Sequence, residues 1–219
     1  MSRYLRSHPG PRSAAKRERI VDAAMHAFAT RGYQGARVED IASELGIAKG
    51  SIFQHFGSKA GLFFAAYRKA VQALPAWLEA PEEVVGAGFW AILEYWLQRT
   101  EHLISDDWIP YRVALVGNYG TDLELRREIN RYLVSEDPYG TLEFIEFGVA
   151  SGDLRTDLDV EMAASMLDWL GSGFQDALVT RELDPGLVHR HPDPEHRRAM
   201  RIEQFVDLLR RAIGADDRR

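Results

Sequence analysis

The chain has 219 residues, 46% hydrophobic and 27% charged, ordinary proportions for a globular protein able to bury a core. It contains no cysteine, which excludes disulfides and thiolate metal centres; it has no run of about 18 apolar residues, so no membrane helix or secretory leader is expected and the cytoplasm is the expected location. The formal charge of −6 is uneven: residues 1–60 sum to +5 and the remainder to −11, the asymmetry of a chain that meets phosphate with one end.

Helical periodicity dominates and no sustained alternation of period two marks a sheet, so an all-α fold of about nine helices is expected. The first helix runs over about 14–30 with Ile20, Ala24, Ala27 and Phe28 on one face, and stops at Arg31-Gly32. Two short helices follow over 38–45 and 49–56, split by Gly46-Ile47-Ala48. The first turns Val38, Ile41, Ala42 and Leu45 inward; the second turns Ile52, Phe53 and Phe56. Ser58 is placed to cap a longer helix through Leu62, Phe63, Ala66 and Tyr67. Beyond Pro75 and Pro81 a helix over 82–105 carries Phe89, Leu93, Trp96 and Leu103 as an amphipathic stripe. Asp106-Asp107 are placed to cap a helix over 108–116. Asp122 opens another through Leu123, Ile129 and Leu133, broken or kinked by Pro138. Phe144-Ile145 and Phe147 follow, in a stretch that Gly148 and Gly152 end. Helices over 159–180 and 194–213 close the chain, joined by a Pro/His-rich loop over 184–193.

The stretch from Val38 to Leu62 carries the function. Two helices of about eight residues joined by a tight glycine turn match the helix-turn-helix unit, in which the first helix braces the second as it enters the major groove. Gly32-Tyr33, Val38-Glu39-Asp40-Ile41-Ala42, Gly46-Ile47, Gly50-Ser51-Ile52-Phe53, His55-Phe56, Ser58-Lys59 and Leu62 fall in one register that resembles the TetR family of transcriptional regulators. The resemblance covers about the first quarter of the chain. It implies an N-terminal three-helix DNA-binding domain over residues 1–60; the basic Arg3, Arg6 and Arg12 at its start read as a disordered tail, or else as an arm that follows the DNA backbone or minor groove. It also implies a helical effector-binding and dimerisation domain over 61–219, and a homodimer on double-stranded, palindromic operator DNA. It further implies repression relieved by a small effector, with no catalytic activity, cofactor, metal or membrane partner.

On that resemblance and on chemistry, Arg37, Lys49, Ser51, Phe53, Gln54, His55 and Lys59 are the expected DNA contacts. Gln54 can pair with an adenine edge and Ser51 with several bases, while Lys49 reads a base or binds phosphate. His55 and Lys59 match family phosphate contacts. Three positions depart from the family pattern. Arg37 stands for a capping Thr and Ala48 for a capping Ser/Thr; Phe53 stands for a Tyr, so a phosphate-reaching hydroxyl is missing.

Val160, Ala163, Leu167, Leu170 and Phe174, with Ile202, Phe205 and Leu209, form apolar seams on the last two helices and are the expected dimer interface. The aromatic-rich middle suggests an apolar or aromatic effector lined by Trp96, Trp108, Tyr111, Phe147 and Trp169. Glu143, Arg112 and Asp168 are candidate polar anchors. An effector is expected to move the helix from Ser58 to Ala73 and so change the spacing of the recognition helices. Two further readings stay open: a dimeric helical interaction module without DNA binding, and an enzyme with a metal site near His189, His191 and His196. No phosphate-cradling glycine loop, nucleophile elbow or His-Glu-x-x-His helix supports the enzyme.

Overall fold

The computed structural model describes residues 11–73, 79–100 and 108–215. Among these lie α1 (Pro11–Gly35), α2 (Val38–Glu44), α3 (Lys49–Phe56), α4 (Lys59–Ala73), α5 (Glu82–Gly86) and α6 (Phe89–Arg99). They continue with α7 (Trp108–Asn118), α8 (Leu123–Glu136), α9 (Thr141–Ser151), α10 (Val160–Val179) and α11 (Pro194–Ile213). The fold is all-α; pairing of extended backbone among the described residues is limited to an isolated bridge between Leu154 and Gly214.

Side-chain caps set four of the described helix starts. The Ser58 hydroxyl accepts from the Gly61 N–H at 3.0 Å. Asp122 serves Glu124 and Leu125, Asp159 serves Met162, and Asp193 serves His196. Three boundaries differ from expectation. α1 starts at Pro11, and its expected stop is a break at Gly32 (φ 67°, ψ 176°) inside a longer element. The run expected over 82–105 divides at Ala87-Gly88, where Gly88 has φ 96° and the distant Asp153 carboxylate accepts from the Phe89 N–H at 3.0 Å. Gly148 lies inside α9 rather than at its end, and Gly152 terminates that helix. Leu103 and the Asp106-Asp107 cap lie outside the described residues.

The chain forms two compact units. The first holds α1–α4 with α7 and α8, a larger packing unit than the expected 1–60 segment. Its core joins Ile20, Ala24 and Phe28 of α1 to Phe63, Ala66, Tyr67 and Ala70 of α4 and Val113 of α7, all buried. Phe28 and Phe63 meet edge-on at 4.9 Å, and the Tyr67 hydroxyl donates to Asn118 at 3.0 Å. Lys69 of α4 pairs with both Glu18 and Asp22 of α1. Burying each large apolar side chain here contributes about 1.5–3 kcal/mol. The helices approach closely at Gly117, where a Cβ would stand 2.7 Å from the Tyr67 ring.

The second unit packs Phe89, Leu93 and Leu97 of α6, Phe144 and Ile145 of α9, Ala163 and Leu167 of α10, and Ile202, Val206 and Leu209 of α11. Phe89 and Phe144 stack at 4.1 Å. The loop after α10 is organised by buried Asp184, which accepts from the N–H groups of Gly186, Leu187, Val188 and His189. Burial alone would raise that carboxyl, but these four bonds outweigh it and hold it below its usual range.

Gly117→Ala is expected to lower the stability of the first unit by about 1–3 kcal/mol, because the methyl overfills the α4–α7 crossing. Chemical denaturation followed through tyrosine and tryptophan fluorescence measures it; an unchanged midpoint contradicts the close approach.

Candidate nucleic-acid interface

The turn between α2 and α3 depends on Gly46 (φ 64°), a left-handed conformation that a β-carbon disfavours. The Ile47 N–H closes the turn on the Ala42 carbonyl at 3.0 Å. Ile41, Ala42 and Ile52 are buried between the helices, and Leu45, Ile47 and Phe56 are half-buried. Neither Arg37 nor Ala48 supplies a side-chain cap, as their chemistry dictates. With Ile52 inward, α3 exposes Lys49 and Gln54 and leaves Ser51, Phe53 and His55 half-buried. Arg37 is exposed at the entry to α2, and Lys59 is half-buried at the first position of α4.

Three cations on this surface, Lys49, Lys59 and Arg31, already have partners within the chain. The Lys49 ammonium donates to Glu39 at 2.5 Å and lies 5.3 Å from the Phe53 ring centroid. The hydrogen bond from Lys49 is the main reason the Glu39 carboxyl sits below its usual range. Lys59 donates to the Gln34 carbonyl at 3.3 Å and covers the Tyr33 ring. Tyr33, half-buried against Phe28 and Phe63, has its hydroxyl pKa raised by burial and by the Asp122 charge. Arg31 pairs with Asp40 at 2.8 Å. Glu39 and Asp40, both in the first turn of α2, suit the positive end of that helix dipole.

Two residues of this surface are absent from the expected set. Lys16 of α1 donates to the Ser51 hydroxyl at 2.6 Å, and the Arg17 guanidinium lies 5.1 Å from the Phe56 ring centroid. The start of α1 therefore lies against the recognition helix. A signal was present: Arg12, Lys16 and Arg19 fall at spacings of four and three, one face of a helix. Arg12 belongs to α1, not to a loose arm; Arg3 and Arg6 lie outside the described residues.

The expected effector residues do not assemble within one unit. Tyr111 is buried in the first unit, which also contains Trp108, whose side chain lies outside the description. In the second unit Trp96 packs on Phe144 at 4.5 Å, Phe147 is partly exposed and Trp169 is 69% exposed. Arg112 and Glu143 are exposed. Asp168 is half-buried and accepts from the Thr141 hydroxyl at 2.6 Å. Burial raises its carboxyl, the Thr141 bond opposes this, and the charge of Asp137 adds to it.

The expected dimer seam is largely the core of the second unit. Ala163, Leu167, Ile202 and Leu209 are buried in it; Val160, Phe174 and Phe205 pack against it, and Phe174 stacks on Phe205 at 4.1 Å. Of the eight, only Leu170 belongs to the exposed large hydrophobics. The reason is that α10 has two apolar faces, and the 3-4 spacing picked out the inward one. The outward face carries Met162, Met166, Trp169 and Leu170, and α11 exposes Leu208 at 65%.

In the histidine loop, His191 Nδ1 lies 3.1 Å from the Asp193 N–H, and His189 Nε2 is buried without a partner among the described residues. No group of three or more His, Asp or Glu side chains gathers there or elsewhere among the described residues as a metal would need. No described helix is long and apolar enough to cross a membrane.

A braced eight-residue helix with a basic, glutamine- and serine-bearing outer face defines a helix-turn-helix DNA-binding regulator. The sequence profile of the bacterial regulatory proteins of the tetR family matches residues 20–66. The HTH-type transcriptional repressor AcnR of Corynebacterium glutamicum is 27% identical over 179 residues, 81% of this chain and 89% of the relative. A solved structure on the molecular basis for control of antibiotic production by bacterial hormones is 27% identical; it covers 93% of this chain and 100% of that one with a TM-score of 0.57. A TetR regulator from Chloroflexus aurantiacus shares the fold at TM-score 0.62 and 18% identity, over 92% and 98% of the two chains. Residues 20–66 thus match the helix-turn-helix region of the TetR family, and the chain over most of its length is similar to transcriptional repressors and regulators of that kind. Curated relatives it matches over most of its length are named as HTH-type transcriptional repressors.

Glu39→Gln is expected to release Lys49 and tighten binding to duplex DNA roughly two- to fivefold at low salt. The slope of log affinity against log salt should steepen by up to about one. Fluorescence anisotropy against salt concentration reads both; a weaker or unchanged affinity contradicts the competition between Glu39 and phosphate.

Proposed function

We propose that this protein is an operator-binding repressor, acting in the cytoplasm as a homodimer and released by a small effector. Residues 1–60 would read the DNA and residues 61–219 would dimerise and respond to the effector. The observation that carries the reading is the outer face of α3, where Lys49, Ser51, Phe53, Gln54 and His55 stand around a single buried Ile52. Arg37 and Lys59 flank that face at the starts of α2 and α4 and are assigned to phosphate, with His55. Gln54 is exposed and has no hydrogen-bond partner among the described residues, so its amide is free to pair with an adenine edge.

A dimer supplies two recognition helices for half-sites roughly 34–36 Å apart. The outward face of α10 is assigned to that dimer: Met162, Met166, Trp169 and Leu170, with Leu208 of α11. These apolar side chains recur at helical spacing in water, which isolated surface hydrophobics do not. For the effector, an apolar or aromatic compound remains the reading. α4 is packed against α1, α7 and α8, so a ligand that displaces α7 also moves the helix on which α3 rests. Such a ligand lowers operator affinity only by as much as it prefers the displaced state.

Selection of genomic fragments by the purified protein tests the function. Salt-dependent binding enriched at particular promoters is expected; equal binding to all fragments, or none, overturns it. Gln54→Ala should relax preference among selected operators, whereas Lys59→Ala should weaken binding to all of them and reduce the salt slope by about one. Met166→Glu with Trp169→Glu should raise the dimer dissociation constant about thirtyfold or more, read by sedimentation. A dimer unaffected by the pair places the interface elsewhere.

A further inference from the structure

The hydrogen bond between Lys16 and Ser51 biases the kind of contact the recognition serine makes. A lysine ammonium has three donors and no acceptor, whereas a serine hydroxyl has one donor and two lone pairs. At 2.6 Å the Ser51 oxygen must therefore be accepting from Lys16. Its proton is then turned away from Lys16, and no acceptor among the described residues takes it. The bond links residues 35 apart in sequence, is partly buried, and is charge-assisted, the stronger class of hydrogen bond. Its donor sits on a helix firmly held in the core through Ile20, Ala24 and Phe28, so the ammonium is anchored beside α3.

We propose that Lys16 is a positioning residue for sequence reading, biasing Ser51 toward acting as a hydrogen-bond donor to the base it meets. The inference rests on the reading of α3 as the recognition helix. In the major groove, guanine offers O6 and N7, thymine O4 and adenine N7 as acceptors, while cytosine offers only the N4 donor. A free serine can serve either class by rotating its hydroxyl. With one lone pair taken up by the ammonium, the polarised Ser51 hydroxyl is a stronger donor. With a single lone pair left beside a positive charge it is also a poorer acceptor, so it favours bases with acceptors, guanine foremost, over cytosine. Lys16 thereby acts on specificity from outside the helix-turn-helix motif. It contributes to affinity only through its charge near phosphate.

Selection from a pool of random duplexes by the full-length protein tests this, using wild type, Ser51→Ala, Lys16→Met, Lys16→Arg and the double variant Lys16→Met/Ser51→Ala. The operator position that loses preference in Ser51→Ala is the position Ser51 reads. There the wild type should favour guanine, thymine or adenine over cytosine by about fivefold, the worth of one net hydrogen bond. Lys16→Met should flatten that preference towards equality, Lys16→Arg should retain it, and Lys16→Met should change nothing further in the Ser51→Ala background. Circular dichroism and melting of each variant confirm the fold. If Lys16→Met does not fold, Lys16→Gln, which keeps a neutral donor, takes its place with an intermediate preference expected. The proposal is overturned if Lys16→Met weakens all sequences equally while preference at that position stays intact, which marks a phosphate contact alone. It is also overturned if Ser51→Ala alters preference nowhere. Failure of the wild type to enrich any sequence would instead overturn the DNA-reading function itself.

Discussion

An eight-residue helix cannot hold itself together in water: isolated helices shorter than about 12–15 residues are marginal even with favourable composition. α3 is that short and begins without a side-chain cap at Ala48, so its shape is a property of what lies beneath it. Ile52 is its one fully buried residue, and Ile47 and Phe56 close the seam on either side. α3 packs on α2 and α4, and α4 in turn is clamped to α1 and α7 through Phe63, Tyr67 and the close approach at Gly117. The surface that meets DNA is thus the outer layer of a core extending well beyond the motif. A change at the α4–α7 crossing is felt at α3 because the helix has no stability of its own to resist it.

The parts of this arrangement legible in the sequence were the local ones. Ser58, Asp122, Asp159 and Asp193 announce helix starts because a cap reaches only three residues along the chain. Gly46 and the apolar spacing around Ile41 and Ile52 give the motif for the same reason. What escaped was non-local. The break before α6 depends on a carboxylate from Asp153, 64 residues away, and nothing near Gly88 signals it. Periodicity shows that α7 and α8 have an apolar side but not that this side belongs with α1 and α4. The Lys16–Ser51 bond was hidden in the same way, although the basic stripe of α1 was readable. The aromatic surplus does not by itself name a site: of Tyr111, Phe147 and Trp169, one is buried in the first unit, and two stand partly or largely in solvent on the second.

α10 illustrates why a stripe on a helix does not name its partner. Ala163 and Leu167 face inward, and Met162, Met166 and Trp169 lie on the opposite side of the same helix. Both sets satisfy three- and four-residue spacing. The chain must bury one face to fold at all, and the inward set has the small Ala163 and Ala164 that let neighbouring helices approach. The outward set is bulkier, and Trp169 at 69% exposure leaves a large apolar area in water. In the dimeric reading, that face is the surplus which a second copy removes from solvent.

The charge arrangement on the α3 surface bears on how such a regulator avoids binding everywhere. Lys49 is held by Glu39, and Lys59 by the Gln34 carbonyl and Tyr33 ring. Meeting phosphate is then an exchange of partners, not a pure gain, and exposed pairs of this kind are worth only about 0.2–1 kcal/mol. Each lysine's contribution to sequence-independent affinity is reduced by what it gives up, and the −11 carried by residues 61–219 opposes approach further. Neutral Gln54 surrenders no partner within the described residues, so its contact with a matching base is retained in full. The balance favours discrimination over raw attraction: self-paired cations lower the background on non-operator DNA, and the uncharged groups of α3 decide among sequences.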